Sequence, residues 1–243
     1  MPSGSLRGEL TDHAAACGSA LRVFDDWFLT PQRAAVHRPT ATAVIADPHL
    51  GYDRARQRGG EAVPFVAAHS LLAALRTLAI EYGVQQLVIA GDLVENRAGL
   101  PAVSELLAGL EPLHINLAAV VPGNHDRGLT AKFPQFTVCH EGIEMGGWRV
   151  LHGDGRLPRA RIVQGHIHPC VRLAGQTAPC FLVSERRIVL PAFSADAAGV
   201  NILRQAGWSR YRCYVVAGPR VLDFGRIADL KRKTASLRSS SAR

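Results

Sequence analysis

The sequence predicts an α/β fold in which two sheets face each other and helices flank them, on two observations. Up to residue 121, apolar strand-like runs alternate with helix-like segments in the order strand, helix, strand, helix, strand, which is the pattern of right-handed βαβ units. Beyond Phe136 the pattern changes to short strands separated by turns. A third observation bears on chemistry. Five short patches of metal-binding residue types each follow directly on a strand-like run: Asp47-Pro48-His49, Gly91-Asp92-Leu93-Val94-Glu95, Gly123-Asn124-His125-Asp126, His152-Gly153-Asp154 and Gly165-His166-Ile167-His168.

The elements follow in order. Leu21 to Leu29 and Arg33 to His37 read as a short hairpin leading into a strand at Thr42 to Ala46. Pro64 opens a helix whose apolar spacing runs from Phe65 to Tyr82, and Gly83 stops it. A strand follows at Gln86 to Ala90, then a helix opened by Pro101 and running to about Leu110, then a strand at Leu117 to Val121. In the second half, short strands are expected at Ile143 to Met145 and Trp148 to Leu151, separated by a turn at Gly146-Gly147. Further strands are predicted at Ile162–Gln164, Cys170–Leu173, Cys180–Val183, Arg187–Leu190, Tyr211–Val215 and Val221–Phe224.

Composition narrows the class. A chain of 243 residues with 47% hydrophobic content can bury a large core in one domain. No stretch approaches the roughly 18–20 apolar residues of a membrane span. Met1 to Gly18 carries Glu9, Asp12 and His13 and lacks the apolar core of a signal peptide. The five cysteines, Cys17, Cys139, Cys170, Cys180 and Cys213, show no CxxC spacing. They are expected to stay reduced in a cytoplasmic protein, with Cys170 a packed small hydrophobe. The net charge is +8, but residues 231–243 hold five basic residues and no acidic one, which leaves residues 1–230 at only +3. The reading is therefore a single domain over residues 1–230 and a basic, disordered tail over 231–243. That tail either binds polyanions or only aids solubility.

Carboxylate, imidazole and amide donors without thiolate form a set suited to manganese, iron or zinc, so the patches point to a metal-dependent hydrolase. A two-metal phosphoesterase needs a bridging carboxylate, terminal ligands for each ion and a water activated as nucleophile. Asp92, after a glycine that lets the backbone come close, fits the bridge. Asp47 and His49 lie at alternate positions and, on an extended segment, face one side while Pro48 faces the other; His166 and His168 repeat that spacing. Asn124 offers a neutral amide oxygen. His125 faces away from Asn124 on an extended segment and is the natural general acid for the leaving alkoxide, with Asp126 holding its tautomer. Glu95 is expected behind the ligands, orienting a histidine. Arg54, Arg56 and Arg58, in a glycine-ended loop, and Arg97 and Arg127, close to ligands, are candidate phosphate contacts. His69, His114 and His140 lie outside the patches and read as surface or packing residues.

The series D-x-H, G-D-x-x-E, G-N-H-D, H-G and G-H-x-H, over residues from about 42 to 193, resembles the calcineurin-like metallophosphoesterase superfamily. The resemblance implies a four-layer αββα sandwich of two mixed sheets with a dinuclear site at the C-terminal ends of strands. It also implies that Asp47, His49, Asp92 and His168 hold one divalent ion, and that Asp92, Asn124, His152 and His166 hold the other. The ions would be Mn2+ first, with Fe or Zn as alternatives. The stretch from Ile45 to Gly60, Pro179-Cys180-Phe181 and Leu190 to Phe193 are similar to small bacterial and archaeal ligase-associated DNA repair endonucleases, or exonuclease-related phosphoesterases. Pro48 departs from the leucine expected there, and the basic arm is not part of that pattern.

Three functions compete at this stage. The first is a phosphodiesterase acting on DNA, with a repair ligase or helicase as possible partner and a homo-oligomer not excluded. The second is a phosphoesterase for cyclic nucleotides, nucleotides or a lipid-linked pyrophosphate. The third is a non-catalytic scaffold, against which the complete ligand set and His125 argue.

Overall fold

The computed structural model describes residues 19–24, 26–62, 67–126, 129, 133–173 and 175–240. The first sheet begins with the short strands β1 (Leu21–Arg22), β2 (Trp27–Leu29), β3 (Ala35–His37) and β4 (Thr42–Ile45), all antiparallel. After α1 (Tyr52–Arg58) and α2 (Ala67–Tyr82), β5 (Gln86–Ala90) joins β4 in parallel. Helix α3 (Leu100–Leu110), β6 (Asn116–Val121) and β7 (Thr137–Val138) complete a seven-stranded sheet in chain order. The expected start of α2 at Pro64 and Phe65 lies outside the described residues, as do Cys17, Met1 to Gly18 and Arg127.

The second sheet is built from β8 (Ile143–Met145), β9 (Trp148–Leu151), β10 (Ile162–Gln164), β11 (Pro169–Leu173), β12 (Gln176–Ser184), β13 (Arg187–Val189) and β14 (Val200–Asn201). Strands β15 (Arg212–Ala217) and β16 (Arg220–Arg226) extend it from β12. The β8–β9 turn uses Gly146 and Gly147, both at positive φ (55° and 74°), the combination a two-residue hairpin needs. Strand β10 runs parallel to both β9 and β13, so the C-terminal ends of β9 and β10 share one rim.

Three apolar clusters define the layers. Leu71, Leu75 and Leu78 of α2 and Val103 and Leu106 of α3 pack on the outer face of β4–β6, against Ile45, Ile89 and Val120. Between the sheets lie Trp27, Val44 and Val88 from one and Trp148, Val163 and Phe181 from the other. On the far face, Leu182, Cys213 and Val215 meet Ile227 and Leu230 of α4 (Ile227–Ser240). The architecture is therefore αββα, and alternate residues of each strand feed opposite clusters.

Residues 231–240, expected to be disordered, lie in helix α4. Ile227 is fully buried, which contributes about 1.5–3 kcal/mol, and Leu230 packs beside it. The Lys231 ammonium also donates to the Gln205 carbonyl at 2.6 Å. The cationic composition hid a two-residue apolar anchor at helical spacing. Among the described residues no helix is long and apolar enough to cross a membrane, and Cys139, Cys170, Cys180 and Cys213 are free thiols.

Candidate metal centre

Strands β4, β5, β6, β9 and β10 all end at the same rim, and each of the five patches begins within three residues of its strand's last residue. Backbone hydrogen bonds tie the loops together. Asp47 N–H donates to the Gly91 carbonyl at 3.0 Å, His49 to Asp92 at 2.9 Å and Leu50 to Leu93 at 2.8 Å, so the β4–β5 pairing continues past the strands. Phe193 N–H donates to the Ala46 carbonyl at 2.7 Å and joins the second sheet to the first. Carboxylates brace neighbouring loops in turn. Asp47 Oδ2 accepts from His166 N–H and Asp92 Oδ1 from His125 N–H, both at 2.9 Å.

The loops do not run extended, which corrects the alternation argument for Asp47, His49, His166 and His168. Those four and Asp92 all have positive φ, between 47° and 67°. A left-handed conformation costs a non-glycine residue roughly 1–2 kcal/mol; such strain persists only where the surroundings over-determine it and clusters at functional sites. Left-handed turns at these five residues aim side chains of both sheets towards one another. Glycines allow the closeness: a Cβ on Gly123 would lie 2.2 Å from Asp92 Oδ1, and one on Gly91 would lie 1.9 Å from the His152 ring.

Donor atoms converge in three groups, each within 4.8 Å: Asp47–His49–His168 and Asp92–His152–His166, which neighbour each other and hold the expected ligands, and His49–Glu95–His125, which joins the first through His49. In the second group His152 Nε2 is 3.1 Å from His166 Nδ1, 3.3 Å from Asn124 Oδ1 and 3.5 Å from Asp92 Oδ2. Such separations match neighbouring donors around an ion held at about 2.0–2.2 Å. The first two groups touch where His152 Nδ1 lies 3.4 Å from Asp47 Oδ1 and 3.2 Å from the Ala90 carbonyl. A proton on Nδ1, donated to that carbonyl, leaves Nε2 free as a ligand. In the first group His49 Nε2 is buried without a partner, a costly state unless a cation completes it, while His168 Nε2 has only Asp47 Oδ2 beside it, at 3.3 Å. The donor set thus fits divalent metals on the chain's own geometry. Asp92 groups with His152 and His166, and its charge also acts on His49 and His168.

Electrostatics differs from one histidine to the next. Burial lowers the His49 pKa against the pull of the Asp92, Asp47 and Glu95 carboxylates, which favours the neutral imidazole a metal requires. For His168 burial is outweighed, chiefly by Asp47, and the pKa is raised. Burial opposes the charged form of His125 too, yet the Glu95 carbonyl and the nearby Asp92, Glu95 and Asp126 carboxylates raise it overall.

His125 and Asn124 diverge across a turn. Asn124 reaches His152, whereas His125 Nδ1 lies 2.9 Å from the Glu95 carbonyl and its ring meets His49 edge-on at 5.2 Å. Asp126 does not hold the His125 tautomer, which is a second correction. Its carboxylate accepts from Gly123 N–H at 2.9 Å and Val94 N–H at 3.0 Å and pins the loop instead. Burial raises its pKa against those bonds. Glu95 does what Asp126 was expected to do, through its backbone.

The arginines fall elsewhere. Arg54, Arg56 and Arg58 sit on helix α1, not in a loop, and Asp53 at its start with Arg56 and Arg58 in its last turn complements the helix dipole. Arg54 pairs with Glu105 at 2.9 Å and Arg56 with Glu61, while Arg58 and Arg97 are exposed. His69, His114 and His140 are exposed as well, and Cys170 is buried. One polar group that the motifs passed over is Gln164 at the end of β10, buried with Oε1 unpartnered; a lone Gln in an apolar strand was its only signal.

Facing sheets with ligand-bearing loops on a shared rim define a metal-dependent phosphoesterase. A family profile described as calcineurin-like phosphoesterase matches residues 41–174, more than half of the chain, and the chain belongs to that family. Among solved structures it is similar to the Pseudomonas putida nuclease MPE, at 25% identity and a TM-score of 0.67, over 84% of this chain and 98% of that one. No curated protein sequence matches it.

Proposed function

We propose that this phosphoesterase cleaves phosphodiester bonds in DNA, as a nuclease of repair, with two divalent ions. The observation that carries the two-ion reading is the pair of adjoining donor groups, Asp47–His49–His168 and Asp92–Asn124–His152–His166, with the buried His49 Nε2 unpartnered in the first. The likeness to a nuclease over nearly the whole of that protein supports the substrate class.

Bound divalent ions, Mn2+ first, would supply Lewis acidity at the phosphoryl oxygens and a nucleophile near neutral pH. The chain's own groups do the rest. Glu95 orients the His49 ring, and its carbonyl fixes a proton on Nδ1 of His125. Nε2 of the protonated imidazole then gives its proton to the departing alkoxide. The hydrogen bonds to Asp47 and Asp92 hold those carboxylates before substrate arrives. A repair ligase or helicase partner, a homo-oligomer and a cytoplasmic location belong to the same reading.

A smaller substrate, such as a cyclic nucleotide, is the second reading; the pairing of Arg54 and Arg56 with carboxylates favours it. Purified protein with Mn2+ is expected to nick plasmid or trim single-stranded DNA faster than it opens cyclic nucleotides. Asp92→Asn should lower turnover about 10³-fold, the several kcal/mol a metal site supplies. Hydrolysis of cyclic nucleotides alone would reverse the assignment.

A further inference from the structure

Arg33 is the one site-facing arginine that is half-buried and has no carboxylate partner among the described residues. It occupies a left-handed position (φ 65°) in the turn between β2 and β3. Its Nη1 donates to the Ser194 carbonyl at 2.9 Å and the Ala192 carbonyl at 3.4 Å. Nε and Nη2 have no acceptor among the described residues. The grip on two carbonyls fixes the plane of the guanidinium, and burial lowers its pKa, as for a cation still lacking an anion.

Arg33 stands in the wall between two grooves. One, of about 300 Å³, reaches Pro48 between two candidate ligands but carries Asp196. The other, of about 270 Å³, is lined by Arg33, His168, Cys170, Thr177, Ser194 and Ala197 among others. It contains no carboxylate. A cation and a candidate metal ligand lining one groove free of carboxylates suit a strand that bears two phosphates. The scissile phosphate would lie at the metal ligands and its neighbour against the free edge of the guanidinium, whose planar fork suits phosphate oxygens.

We infer that the His168–Arg33 groove is a subsite for the nucleotide next to the scissile phosphate of a polynucleotide, with Arg33 as its phosphate contact. The inference rests on the nuclease reading and deepens it: the groove would set a preference for polymers over isolated diesters.

The test compares wild type, Arg33→Gln and Arg33→Lys with Mn2+ on a single-stranded oligonucleotide and on bis-nitrophenyl phosphate. For Arg33→Gln, the ratio of kcat/KM on the oligonucleotide to that on the small diester should fall at least tenfold. The log–log salt dependence of oligonucleotide binding should flatten by about 0.7, the share of one phosphate on a single strand. Arg33→Lys should keep the wild-type slope because it keeps the charge. An unchanged ratio and slope, with both activities lost together or neither affected, would overturn the subsite and leave Arg33 a strut for residues 192–194. A wild type that hydrolyses the nitrophenyl diester but no polynucleotide would overturn the nuclease reading, and the subsite with it.

Discussion

Glu95 touches two histidines by two routes: its Oε2 lies 2.9 Å from His49 Nδ1, and its backbone carbonyl lies 2.9 Å from His125 Nδ1. Side-chain replacement therefore disturbs one histidine and spares the main contact of the other. Glu95→Ala is expected to weaken metal binding about 10–100-fold, the usual cost of losing a group that orients a ligand histidine. Calorimetric titration of the metal-free protein with Mn2+ measures it. Unaltered affinity would mean that the carboxylate does not orient His49.

His125→Ala separates acid catalysis from metal activation. An alkoxide leaving group needs a proton, so its release should slow by about 10²–10⁴-fold. Nitrophenolate leaves without help, and its loss should be at least about tenfold smaller. Equal losses on the two leaving groups would assign His125 to metal or substrate binding instead.

Gly165 tests how closely the sheets approach beneath the ligands. A Cβ there would lie 2.6 Å from both the Ala46 Cβ and Asp47 Oδ2, and 2.8 Å from the Ala90 carbonyl. Overpacking of this kind costs about 1–3 kcal/mol. For Gly165→Ala that lowers the melting temperature by about 2–12 °C at this chain length. Thermal unfolding in chelator, with metal binding removed from the comparison, gives the value; an unchanged midpoint would show that the junction yields freely.

His37 should make stability depend on pH. It is buried between Trp27 and the Gly146 turn, with Nδ1 2.8 Å from Thr40 Oγ1 and Nε2 unpartnered. Burial lowers its pKa despite the pull of Asp26. The unfolded chain therefore takes up a proton at higher pH than the folded one. His37's contribution is intact above about pH 6.5 and is lost as pH falls through the lowered folded value. His37→Asn, which keeps a polar atom towards Thr40, should flatten the slope of stability between pH 7 and 5 relative to wild type. Denaturant titrations across that range provide the comparison.

Local chemistry alone placed the strands that carry the site. Gln86–Ala90, Trp148–Leu151 and Ile162–Gln164 coincide with the observed β5, β9 and β10, because short Val- and Ile-rich runs ended by glycine or polar residues have few other solutions. The donor types, and hence the metal chemistry, were equally legible. Long-range packing decided the remainder. Whether Asp47 and His49 lie on an extended or a left-handed backbone depends on hydrogen bonds to Gly91 and Asp92, more than forty residues away. Glu95 replaced Asp126 behind His125 because a carbonyl, which no motif encodes, happened to face the ring. Helix α4, which includes residues 231–240 of the basic arm, became the fourth layer because Ile227 and Leu230 at its start found an apolar sheet face to cover. Arg33 gained a chemical meaning only when the chain brought residues 192–199 and His168 beside it. Periodicity and donor type are local properties that neighbouring residues encode; burial, charge pairing and the facing of two loops depend on partners that only folding brings within reach.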